Sequence, residues 1–301
     1  MNDALLLLPD FALIALGFGL CRYSALGRSV WEGVERLVYF VLFPALLFQS
    51  IARNPIDLAS SGALVGCGLA VCCGGIALAY AARYLPRVES HHHASGAQTA
   101  FRFNSYVALA VAERLAGSQG VAWTAMLMAL CVPLCNFAAV WPLARHGGHR
   151  FAAEIARNPL IIATVGGLAA NLAGLALPAV VSITLQRLGT AALPLGLMAV
   201  GAGLRLGALR EDPRLASAFL GIRHVAQPML AIVLALALPL PVAQQAILVA
   251  FAAMPTASSA YVLAARMGGH ASYVAGLVTA STLIASIGLP AALAALAWCR
   301  A

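Results

Sequence analysis

Two stretches of this 301-residue chain carry polar residues where a membrane-spanning run would be apolar, and both hold residue types suited to gripping an anion. In "FRFNSYVALAV", 101–111, the polar residues are Arg102, Asn104 and Ser105. A guanidinium presents paired N–H donors that match a carboxylate, and an amide and a hydroxyl add neutral hydrogen-bonding groups beside it. In "FAAMPTASSAYVLAARMGG", 251–269, Pro255 stands within the run and is followed by Thr256, Ser258 and Ser259. Proline inside a helix removes an i→i−4 hydrogen bond and presses on the preceding turn, at roughly 3 kcal/mol or more. The backbone groups it frees cannot face lipid, so they must be buried in protein or line a polar cavity.

Composition defines the surroundings of these residues. The chain is 62% hydrophobic and 9% charged, and all 18 basic residues are arginines. Soluble domains carry about 25% charged residues. Apolar runs of roughly 17–25 residues, long enough to cross a bilayer, recur along the whole length, as expected of a polytopic membrane protein. The amino terminus, "MNDALLLLPDFALIALGFGL", lacks an arginine-rich start and a small-residue cleavage site and reads as a first span rather than a signal peptide. The net charge of +8 is scattered singly among loops and forms no stripe for nucleic acid. Cys67, Cys72, Cys73, Cys131 and Cys135 lie in apolar runs and read as small apolar residues. Cys131 and Cys135 share a helix face with no His or acid beside them, so no metal site is expected there. No G-x-S-x-G, H-E-x-x-H or P-loop pattern occurs, and acids are too few for paired-carboxylate chemistry. Neither catalytic residues nor a cofactor are expected.

Turn signals divide the chain into spans near 4–20, 34–52, 60–82, 95–115, 121–142, 158–176, 180–204, 216–238, 243–266 and 272–298. Loops after odd-numbered spans hold twelve arginines, whereas the other side holds only Arg53, Arg114 and Arg300. Positive residues near span ends stay in the cytoplasm, which predicts a multi-pass protein of the cytoplasmic (inner) membrane with both termini on the outer side. Arg187 and Arg223 are expected near span ends, snorkelling to the interface, whereas Arg102 lies well inside the fourth span.

The chain also resembles itself at an offset of about 150 residues, with Pro44 falling on Pro194 and "AVAERLAGSQG" on "VLAARMGGHAS". The halves are 1–145 and 158–301, joined by a basic cytoplasmic linker at 146–157. Five spans per half force the second half to enter the bilayer from the opposite side, giving the inverted repeat of secondary transporters, with substrate near the midplane where interrupted helices meet. At such a break the amino-terminal helix end favours an anion and the carboxy-terminal end a cation. The predicted fold is therefore an all-α polytopic membrane protein: ten transmembrane helices in two inverted five-helix repeats, with helices four and nine interrupted and crossing near the midplane. With no proline in 98–117, the residues leave open whether the fourth span is fully broken or only bent.

The blocks "VYFVLFPALLFQSIA", "FRFNSYVALAV", "RNPLIIATVGGLAANLAGLALP", "LGTAALPLGLMAVGAGL" and "MPTASSAYVLAARMGGHASYVAGLVTASTLIASIGLP" resemble the auxin efflux carrier family, which includes plant PIN carriers and bacterial permeases for dicarboxylates such as malate and malonate. The resemblance implies a scaffold of spans 1, 2, 6 and 7, a moving transport unit of spans 3–5 and 8–10, a homodimer, an elevator-like motion and an anion site where spans four and nine cross. Pro255 and Asn104 fall on the family's ninth-span proline and fourth-span asparagine, but Phe103 and Ala110 stand where family members often have a fourth-span proline. Span three, "LVGCGLAVCCGGIALAY", lacks the charged support residues of the plant carriers.

The expected function is a permease for a small organic anion, a mono- or dicarboxylate, with a proton favoured over sodium as a possible coupling ion; the scarcity of acids within the spans argues against a carboxylate-built sodium cage and leaves proton coupling without an obvious carrier. Its expected substrate site comprises Arg102, Asn104, Ser105, Asn136, Pro255, Thr256, Ser258 and Ser259. Bland readings stand beside these. Arg102 could lie near the cytoplasmic surface, Asn104 and Ser105 could hold neighbouring helices, and the hydroxyls after Pro255 could serve packing and backbone repair. Pro44 and Pro194 read as scaffold kinks, Asn171 as a cap of span six, and "ESHHHASG", 89–96, as a solvated loop in preference to a metal or pH site. Two other functions compete: a sodium-coupled symporter of the bile acid type, and a membrane sensor that binds a ligand without carrying it.

Overall fold

A computed structural model describes residues 3–53, 58–86, 88–143, 159–175, 177–204, 212–257 and 259–300. Ser258, the linker 146–157 and the arginine-bearing loop 205–211 lie outside the described residues. The described elements are helices: α1 (Asp3–Tyr23), α2 (Arg28–Arg53), α3 (Leu58–Ala81), α4 (Ser90–Gly96), α5 (Ser105–Leu143), α6 (Pro159–Leu172), α7 (Ala179–Ala202), α8 (Pro213–Ala237), α9 (Val242–Ala253), α10 (Ser259–Arg266) and α11 (Ala271–Arg300). Among the described residues, six helices are long and apolar enough to cross a membrane, namely α2, α3, α5, α7, α8 and α11. Phe11–Tyr23, Ile162–Leu172 and Val242–Ala253 are shorter apolar helices.

The helix α5 occupies two of the expected spans. Its 39 residues would extend about 58 Å if straight, far beyond a hydrocarbon core of about 30 Å. The helix breaks at Ala116 and Gly117, where Gly117 takes φ 56°, a conformation glycine adopts without a Cβ clash. A Cβ on Gly120 would lie 3.0 Å from the carbonyl carbon of Ala112. In a straight helix those residues would be about 12 Å apart, so the chain folds back on itself here. The absence of a side chain on Gly120 is what permits the close return.

The chain forms two compact units. The first holds α1, α2, residues 106–129 of α5, α6 and α7. Within it α1 packs along α7, and the backbones touch through glycine: a Cβ on Gly17 would sit 2.6 Å from Met198 Cα, and one on Gly201 2.7 Å from the Ile14 carbonyl carbon. Asn171, expected to cap its own helix, instead donates its Nδ2 to the carbonyls of Ile51 (3.0 Å) and Ala52 (3.3 Å), so it caps the end of α2. Pro44 follows a π-helical turn at Val38–Leu42, a local widening that belongs with a missing backbone donor.

The second unit holds α3 from residue 63, α4, the segment to Ser105, residues 130–143 of α5, and α8 to α11. Here α9 packs between α8 and α11, and α10 lies on α11. The histidine segment is not a solvated loop. Ser90–Gly96 is the helix α4, His93 is buried with Nε2 2.9 Å from the Ala79 carbonyl, and His91 Nε2 lies 3.2 Å from the Gly268 carbonyl. The His92 and His270 rings pack at a tilt with centroids 4.4 Å apart. These side chains anchor α4 to α3 and to the turn after α10. Among the described residues no group of His, Cys, Asp or Glu is placed to hold a metal ion.

Candidate functional site

Two helices end abruptly in the second unit and are followed by an unwound stretch and a new helix. The first runs through α4 and a 3-10 turn at Ala97–Ala100, leaves helical geometry at Phe101 (φ −126°, ψ −21°), and resumes as α5 at Ser105. The second ends with α9 at Ala253 and resumes as α10 at Ser259. The first break contains no proline, yet both helices are interrupted.

The physical reason is an exchange of hydrogen bonds. The unwound segments pair antiparallel at Phe103 and Thr256, with Asn104 N–H donating to the Pro255 carbonyl (2.8 Å) and Ala257 N–H to the Arg102 carbonyl (3.1 Å). In continuous helices Asn104 N–H would have served the Ala100 carbonyl and Ala257 N–H the Ala253 carbonyl. Each interrupted helix thus supplies what the other gives up, and Phe103 packs on Phe251 with ring centroids 4.5 Å apart. Helix formation is governed by local propensity only until a longer-range partner offers the backbone an equivalent bond.

The carbonyls left behind have specific partners. Pro255 has no N–H, which deprives the Phe251 carbonyl of its helical donor. Arg223, 1% exposed, fills that role: its Nη2 donates to the carbonyls of Phe251 and Ala252 (both 3.2 Å) and its Nε to that of Met254 (2.6 Å). Arg223 Nη1 also donates to Gln227 Oε1 (2.7 Å), and Gln227 Nε2 donates to the Ala100 carbonyl of the other broken helix (2.6 Å). Gly75 on α3 makes room, because a Cβ there would overlap the Gln227 amide. Thr256, fully buried, gives its hydroxyl proton to the Thr99 carbonyl (2.7 Å) and its N–H to Ser281 Oγ (2.8 Å). Ser281 Oγ also lies 2.8 Å from His224 Nε2.

The two amino-terminal ends differ from this closed arrangement. Arg102 is half-buried, with Nη1 donating to Gln98 Oε1 (2.9 Å) and Nη2 to Ser259 Oγ (3.1 Å), at the first residue of α10. Its guanidinium therefore stands beside a helix end carrying partial positive charge. Asn104 is buried and Ser105 half-buried at the start of α5. Of the expected site residues, the structure brings together Arg102, Asn104, Ser105, Pro255, Thr256 and Ser259. Asn136 is half-buried in the second arm of α5 and makes none of these hydrogen bonds. Thr256 is wholly engaged in joining the segments, in keeping with backbone repair. Arg223, expected to snorkel from a span end, instead lies at the centre of the break, and with Gln227, His224 and Ser281 it went unread in the sequence.

The first unit contains a cavity of about 470 Å³ lined by Gln49, Arg53, Glu113, Arg114, Thr190 and Pro194 among others. It includes none of the expected site residues. Pro194 removes the helical donor to the Thr190 carbonyl, and both residues border this cavity.

Comparison with known proteins bears on the second half of the chain. The membrane transport protein family matches residues 148–293. Those residues carry the transport domain of the auxin efflux carrier family. The matched region includes Arg223, Gln227, Pro255, Thr256 and Ser259, whereas Arg102 and Asn104 lie outside it. The family is one of transporters, and its apolar helices make this chain a multi-pass membrane protein. No curated protein matches the chain.

Proposed function

We propose that the chain is a secondary transporter that moves a small organic anion, a mono- or dicarboxylate such as malonate or malate, across the cytoplasmic membrane by elevator-like alternating access. The observation that carries this reading is the polarity of the paired break. Both carboxy-terminal helix ends are closed by buried donors, while the amino-terminal ends meet beside Arg102. Partial positive charge at helix amino termini and a guanidinium that can present two parallel donors suit a carboxylate. Arg102 would bind the substrate's carboxylate, with Ser259, Ser105 and backbone N–H groups orienting it. Ser258 and Asn136 are counted with the proposed substrate-binding residues on their sequence positions.

In this reading α4 with the first arm of α5 forms span four and α9 with α10 forms span nine, so the chain makes ten crossings in two inverted repeats that meet near the midplane. The halves are 1–145 and 158–301, joined by the 146–157 linker. Spans 1, 2, 6 and 7 serve as scaffold and the remainder as the moving unit; both termini face outward, and two copies form a homodimer. The four scaffold spans share one compact unit, which also holds residues 106–129 of α5. A proton is the favoured coupling ion.

The test is uptake of a panel of radiolabelled mono- and dicarboxylates into membrane vesicles. At least one carboxylate is expected to accumulate, and Arg102→Gln is expected to lower its initial rate by about 100-fold, the loss of a charge-assisted bidentate contact. Uptake unchanged by Arg102→Gln would remove the assigned site, and no uptake of any member would favour a ligand sensor.

A further inference from the structure

The carbonyl ends of both interrupted helices converge on one guanidinium and one amide. Arg223 covers the carbonyls of Phe251, Ala252 and Met254, and through Gln227 its reach extends to Ala100. No carboxylate forms an ion pair with Arg223 among the described residues. The buried charge is balanced instead by carbonyl dipoles at helix ends, each end carrying a partial negative charge of about half an elementary unit. Unwound carbonyls and half-helix carboxy termini are also the ligands with which broken-helix transporters hold a coupling cation. In this chain those ligands are already bound to a covalently attached one.

We infer that Arg223 is an internal cation: it ties the carbonyl ends of both interrupted helices together and takes the place that a coupling metal ion would need. The consequence, resting on the transporter reading above, is that transport requires no sodium. Arg223 acts as a positioning residue, because it holds the two breaks in register while Arg102, at the opposite helix ends, remains for the substrate. A lysine could neutralise the same ends but cannot reach three carbonyls and an amide oxygen at once, since its donors radiate from one nitrogen. Gln227 sets the geometry, because its oxygen accepts from Arg223 and its nitrogen caps the other helix.

The experiment uses the full chain reconstituted in liposomes, with two independent readouts. Wild-type uptake of a radiolabelled carboxylate is expected to stay within about twofold when sodium is replaced by choline, and Arg223→Ala is expected to lower it by about tenfold or more. Added guanidinium ion is expected to restore the alanine variant saturably and leave wild type unchanged, and Arg223→Lys is expected to fall between. Hydrogen exchange at 251–257, read without substrate, is expected to accelerate in Arg223→Ala and slow again with guanidinium. Sodium-dependent wild-type uptake would overturn the inference, as would exchange unaltered in Arg223→Ala or an inactive variant that neither guanidinium nor lysine improves. If wild type carries no carboxylate, the functional reading fails while the exchange measurement still decides the role of Arg223.

Discussion

Arg102 and Arg223 face opposite electrical ends of the same paired break, and their surroundings differ accordingly. Arg223 gives four hydrogen bonds, three to main-chain carbonyls and one to Gln227, whereas Arg102 rests on a glutamine and a serine hydroxyl that the proposed carboxylate would displace. In the sequence Arg102 read as a charge well inside an apolar run and Arg223 as one near a span end. Arg102 was legible as a functional candidate because Asn104 and Ser105 stand beside it. Arg223 was not, because its partners are carbonyls 28–31 residues away, and main-chain groups leave no pattern of residue types. Thr256 occupies a third role, as a buried rivet. Thr256→Val keeps the shape, deletes the donor to the Thr99 carbonyl, and is expected to destabilise the protein by about 1–3 kcal/mol. A lowered midpoint for Thr256→Val in detergent thermal unfolding checks this; an unchanged midpoint would mean the hydroxyl contributes nothing.

At the scale of elements, a helix breaks here without proline because another broken helix receives its backbone groups. Proline marked the second break in the sequence, since Pro255 acts locally on the Phe251 carbonyl. The first break depends on the Phe103–Thr256 bridge, a contact between residues far apart in the chain, so no local propensity announced it. The hairpin in α5 was more readable, because Gly117 and Gly120 stand between two apolar runs. Glycine also sets the spacing of α1 and α7. Gly201→Val would drive a side chain into the Ile14 carbonyl, and the overpacking is expected to cost about 1–3 kcal/mol. Loss of folded protein on size-exclusion chromatography after heating would report it, and a variant as heat-resistant as wild type would contradict the close packing. The same substitution at Gly62, where added atoms meet nothing within 4 Å, provides the control.

For the whole molecule, composition alone was enough to place the chain in a membrane, because 62% hydrophobic and 9% charged residues leave no soluble surface. The arginine asymmetry further predicts both termini outside. Cys299 is exposed near the carboxy terminus, so with the other six cysteines replaced it should react with an impermeant maleimide in intact spheroplasts. A cysteine at Arg83, also exposed but in a loop predicted to be cytoplasmic, should react only after lysis, and the reverse pattern would invert the topology. The proposed function at this scale is alternating exposure of one anion site, which is separable from mere binding. The most direct measurement is counterflow in sodium-free liposomes loaded with an unlabelled dicarboxylate, malonate first and malate second. The account predicts transient accumulation of external label by wild type and its loss in Arg102→Gln; counterflow at the wild-type rate in that variant, or none in wild type with any mono- or dicarboxylate, would contradict it.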